Sequence, residues 1–117
     1  MRPFLLVWNS AQFDVYQAHL LAYLDTRPEI KNYYAPFLGT VLLIADQNQS
    51  PSTLSNMLHS RFPSLLIAVS PADQWSTNGW MPQVFWNLIQ NPTSSGKWDS
   101  GAGLKALAEL LKIPPKK

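Results

Sequence analysis

Three runs of the chain are apolar without a polar break: residues 4–8 (FLLVW), 41–45 (VLLIA) and 65–69 (LLIAV). Runs of this length with both alternating sets apolar mark strands covered on both faces. The pattern between them changes period. After Ser10, a residue type that caps helices, Phe13, Tyr16, Leu20, Tyr23 and Leu24 recur every three or four positions, and Pro28 closes that helix. Residues 30–35 (IKNYYA) read as a further strand, and Pro36 and Gly39 punctuate the way to the next. Pro36 has no N–H for a ladder, so it belongs at an edge or a bulge, and the two strands form an antiparallel hairpin.

Ser50 followed by Pro51 is a helix start, cap and then first helical residue. Leu54, Met57, Leu58 and Phe62 follow at helical spacing before Pro63. The predicted order is β-α-β-β-α-β. That pattern defines an α+β, ferredoxin-like antiparallel sheet with both helices on one face. Pro82 opens a short third helix carrying Val84, Phe85, Leu88 and Ile89, stopped at Asn91-Pro92. Residues 1–92 therefore read as one domain and the glycine- and hydroxyl-rich stretch 93–103 as a linker. Residues 104–117 read as a short amphipathic C-terminal helix (Leu104, Leu107, Ala108, Leu111) ending in a basic tail.

The two-sided strands carry the main inference. Phe4, Leu6 and Trp8 alternate with Leu5 and Val7, and Val41, Leu43 and Ala45 alternate with Leu42 and Ile44. Two helices on one face leave the Leu5, Val7, Leu42 and Ile44 set without a cover, and an apolar patch of that kind is more than a monomer tolerates. We expect a homodimer to bury it. The alternative is a lid in cis, in which Trp80, Phe85, Trp86 and Ile89 fold back. Trp75, Trp80 and Trp86 cluster after the last strand, where amphipathic rings suit a partly wet interface, and they join the candidate interface.

Composition sharpens this only in places. Charged residues are 14% of the chain, below the roughly one quarter of an average domain, which again favours a partnered surface. The absence of cysteine removes disulfides, thiolate nucleophiles and cysteine-ligated metals. No stretch is long enough for a membrane span and the N-terminus lacks a signal pattern, so a cytoplasmic location without membrane contact is expected. The net charge of +2 comes from the C-terminal end, where Lys97, Lys105, Lys112, Lys116 and Lys117 face only Asp99 and Glu109. Those five lysines are the candidate nucleic-acid contacts, for a binder acting through the tail.

Little in the sequence carries catalytic chemistry. His19 and His59 have no ligand spacing, and the acids stand singly. Asn9 and Asp46, each just beyond a strand, form the only candidate polar site. An RNA-recognition reading meets aliphatic residues on the third strand and Leu6 on the first, where stacking aromatics would stand. Tyr33 and Tyr34 beside Lys31 and Arg27 offer a thin alternative stacking surface, against ordinary aromatic packing at a hairpin.

The segments FLLVWN, YYAPFLGTVLLIAD, SPSTL and NGWMPQVFWNLI, spread over residues 4–92, resemble small bacterial ferredoxin-like proteins related to the CRISPR spacer-adaptation small subunit and virulence-associated protein D. The resemblance implies a homodimer of ferredoxin-like subunits, with metal-dependent nuclease activity in some relatives. Those relatives place an aspartate at the end of the first strand, where this chain has Asn9. A neutral amide is a poorer ligand for a hard cation than a carboxylate. The expectation is a non-catalytic, homodimeric interaction or scaffold protein with no cofactor. A nucleic-acid-associated protein or a degenerate nuclease is the alternative.

Overall fold

A computed structural model describes residues 1–9, 13–94 and 97. The elements are β1 (Arg2–Asn9), α1 (Phe13–Thr26), β2 (Ile30–Phe37), β3 (Thr40–Ala45), α2 (Pro51–Arg61), β4 (Leu66–Pro71) and α3 (Gln83–Gln90). The result is a mixed α+β fold with a four-stranded antiparallel sheet in the order β2-β3-β1-β4. The proposed Ser10 cap and the helix and basic tail of residues 104–117 lie outside the described residues. Among the described residues no helix is long and apolar enough to cross a membrane.

Local sequence accounts for the boundaries. Ser50 caps α2: its hydroxyl accepts the Thr53 N–H at 3.1 Å, while the Thr53 hydroxyl accepts the Ser50 N–H at 2.8 Å. This reciprocal box satisfies two donors that a helix start otherwise leaves without partners. Gly39 takes φ +86°, a left-handed conformation that costs glycine little, and so closes the β2–β3 turn. Pro36 falls where the β2–β3 register shifts between Tyr34 and Phe37, on a strand that is also a sheet edge. Both placements spare it a missing ladder bond.

The register puts the alternating sets of the central strands on opposite faces. Phe4 pairs with Leu43 and Leu6 with Val41, while Leu5 pairs with Leu42. On the first face Phe4, Leu6, Trp8, Tyr33, Val41, Leu43 and Ala45 join one buried cluster with Leu20, Leu21 and Leu24 of α1 and with Leu54 and Leu58 of α2. On the second, Leu42 and Ala72 are buried against Phe85 and Ile89 of α3, with Leu5, Tyr34, Met81, Trp86 and Leu88 packed around them. The lid in cis is thus real over the Leu42 end of that face. It is incomplete.

Candidate functional site

Followed along β1, the second face goes from covered to open. Leu5 stands opposite Leu42 under α3, but Val7, two residues on, stands beside Ala68 and remains 42% exposed. Beyond it Asn9 pairs with Leu66, which is 71% exposed. A shallow groove runs here, lined by Val7, Trp8, Asn9, Leu66, Ile67 and Ala68.

The seven expected interface residues therefore divide. Leu42 and Ile44 are fully buried, and Leu5 is half-buried against the α3 cluster. Trp86 is half-buried as well, edge-on to Phe85 with centroids 4.9 Å apart. These four serve the chain's own packing. Val7, Trp75 and Trp80 remain at the surface, Trp80 wholly so. Leu66 and Val84 join them and were not among the expected interface residues; the run LLIAV, expected to be covered on both faces, instead forms an edge strand with Leu66, Ala68 and Ser70 exposed, because apolar content marks a strand and not its place in the sheet.

The loop that presents Trp75 is held by one carboxylate. Asp73 Oδ1 accepts the N–H groups of Trp75 and Ser76, each at 2.8 Å, and Oδ2 accepts the Ser76 hydroxyl at 2.6 Å. The Thr77 hydroxyl in turn accepts the Asp73 N–H at 3.1 Å. The hydroxyl of Ser76, and then the two N–H groups, hold the Asp73 carboxyl below its ordinary pKa. The loop is fixed while its ring stays in water: Trp75 is 87% exposed. Burying such a ring later would carry little ordering cost for the backbone.

The polar candidates do not converge. Asn9 ends β1 beside Leu66, whereas Asp46 follows Ala45, the partner of Arg2 at the other end of that strand. At about 3.3 Å per residue the two ends lie roughly 20 Å apart. Asp46 faces Lys31 instead, at 3.6 Å. Among the described residues no three His, Cys, Asp or Glu side chains gather closely enough to hold a metal ion.

Nor, among the described residues, do the cations form an open row. Arg27 makes a two-pronged pair with Glu29 at 3.0 and 2.9 Å, which also lowers the Glu29 pKa. Arg2 donates to the Gln49 carbonyl, and the Arg61 guanidinium lies over the Phe62 ring at 4.9 Å. Lys97 reaches back to α1, its ammonium donating to the carbonyls of Leu24, Asp25 and Arg27 at 3.0, 2.9 and 2.9 Å. Lys105, Lys112, Lys116 and Lys117 lie outside the described residues. Tyr33 is no stacking platform either: it is fully buried and its phenol donates to Asp25 Oδ1 at 2.7 Å.

No protein-family model matches the chain, and neither characterised proteins nor solved structures include one significantly similar to it.

Proposed function

We propose that the chain is a non-catalytic interaction protein that self-associates as a homodimer of ferredoxin-like subunits. Support for the ferredoxin-like reading comes from the antiparallel order β2-β3-β1-β4 and from the single cluster that α1 and α2 share with one sheet face. The functional reading rests on one observation. α3 shields only part of the second face and leaves Val7 and Leu66 in solvent, and Trp75 and Trp80 of the loop that follows β4 are exposed as well. Exposed tryptophan and exposed aliphatic side chains are surface types that interfaces cover, and large rings there supply much of the binding energy.

The test is the mass of the intact chain at micromolar concentration, measured by sedimentation equilibrium or light scattering. We expect twice the 13.2 kDa of one chain. A strict monomer overturns the homodimer. The alternative of a nuclease or a tail-mediated nucleic-acid binder makes a separate demand: cleavage of RNA or DNA with Mg²⁺ or Mn²⁺, or a salt-sensitive mobility shift. We expect neither, and cleavage at stoichiometric enzyme that an Asp46→Asn change abolishes would replace our reading.

A further inference from the structure

The two edges of the sheet are built differently. β2 is guarded: it carries Lys31 and Pro36, and its register with β3 is broken twice, between Ile30 and Asn32 and between Tyr34 and Phe37. Charge, proline and bulges are the usual devices that stop a sheet edge from adding another strand. β4 has none of these before its last residue. Its sequence is LIAVSP, it pairs with β1 without a break from Leu66 to Pro71, and no charged residue occurs between Arg61 and Asp73.

The register also shows which backbone groups face outward. The Ala72 N–H donates to the Pro3 carbonyl at 3.0 Å. Because backbone groups alternate sides along a strand, Ser70, Ala68 and Leu66, paired with Leu5, Val7 and Asn9, also turn theirs toward β1. Ile67, Val69 and Pro71 turn theirs away, and Pro71 has no N–H to offer. The open edge is therefore Ile67 and Val69. Both of their side chains sit only partly buried at the margin of the main core.

We infer that this edge is completed by β4 of a second copy, antiparallel, with the twofold axis at Ala68. This placement rests on the self-association proposed above and adds where it happens. With Ala68 on the axis, Ile67 of one copy faces Val69 of the other, and the reverse. The four outward N–H and C=O pairs then match with no remainder. A shift of one pairing step one way sets Ile67 opposite Pro71, where a donor is missing, and one step the other way sets Val69 opposite Leu65, whose N–H already donates to the Phe62 carbonyl at 3.1 Å. On the first face the seam brings Ile67 against Val69 and so extends the core across the axis. On the second it sets Ala68 against its own copy and gathers Val7 and Leu66, the exposed residues of that face, along the same line.

Because the chain has no cysteine, a single one reports on the axis. Residues directly opposite at such a non-hydrogen-bonded position stand about 4.5 Å apart between Cα atoms, within disulfide range. We expect Ala68→Cys to form a covalent dimer under mild copper-phenanthroline oxidation, in most of the protein, while Lys31→Cys on the guarded edge forms little. Val69→Pro removes an outward N–H that the monomer does not use. It should halve the mass in solution while the far-UV circular dichroism and melting temperature of the monomer stay intact. Ala68→Lys should do the same by setting like charges face to face. If the wild type is dimeric but Ala68→Cys fails to cross-link and Val69→Pro leaves the mass unchanged, the edge assignment is overturned and the dimer stands on another surface. A wild-type monomer overturns both. A monomer whose Ile67 and Val69 amides resist hydrogen exchange assigns the edge to residues 98–117 of the same chain and likewise overturns the second copy.

Discussion

The Lys97 ammonium stands 2.9 Å from the Asp25 carbonyl oxygen, across 72 positions of sequence. It bonds the Leu24 and Arg27 carbonyls too, which also accept the Arg27 and Ile30 N–H groups at 3.2 Å, so the ammonium closes the turn that follows α1. A cation there also meets the negative end of the helix dipole. Burial pushes the Lys97 pKa down, with nearby Asp25 opposing, and the charged form is the one that can donate three bonds.

Lys97→Met keeps the length of the side chain and removes the charge. It should cost about 1–3 kcal/mol, the scale of partly buried hydrogen bonds to a charged group. Urea unfolding reads the loss. Faster amide exchange should follow in the last turn of α1 and spare β3. If Lys97 instead served mainly as a phosphate contact, the variant would weaken nucleic-acid binding and leave stability alone.

Phe85 and Trp80 separate packing from surface. Phe85 is 2% exposed in the α3 cluster, so Phe85→Ala should destabilise by about 3–5 kcal/mol and expose Leu42 to hydrophobic dyes. Trp80 is fully exposed, and Trp80→Ala should shift stability by less than about 0.5 kcal/mol. Any change in partner binding with Trp80→Ala is then a surface effect. A large loss of stability from that variant would place Trp80 in the folded core.

The capping box of α2 gives a third prediction. Ser50→Ala removes the acceptor for the Thr53 N–H and should cost about 1 kcal/mol, while Ser50→Gly should cost only a few tenths. Thermal melts of the two variants distinguish a cap from an exposed serine, for which the glycine would be the worse substitution.

The tryptophan loop should respond to acid. The folded Asp73 pKa lies below its unfolded value, so its contribution is complete above the ordinary aspartate range and is lost as pH falls through the folded pKa. The Trp75 indole resonance should move with that titration. Asp73→Asn should abolish the movement and loosen the loop at every pH. A Trp75 signal that is flat from neutral pH into acid refutes the anchoring role.

Much of this architecture was legible because its determinants are local. Ser50-Pro51 announces α2, Gly39 announces a turn that needs positive φ, and Pro36 can occupy only an edge or a bulge. The apolar alternation in β1 and β3 assigned Phe4 and Leu43 to one face and Leu5 and Leu42 to the other, as the register has it. The functional surface was less legible. Trp75, Trp80 and Trp86 look alike in the chain, yet Trp86 packs on Phe85 while the other two face water, because helical phase decides one and the Asp73 loop another.

The pattern of apolar and turn-forming residues by itself determined the strands, the helices and the fact that a second face needed cover, since burial period and backbone conformation are properties of neighbours in sequence. Tertiary structure alone decided that α3 covers only the Leu42 end and that β4 takes an edge with Ile67 and Val69 turned outward. It also seated Lys97 under α1. Each of these depends on which distant segments meet, and no local pattern specifies that meeting.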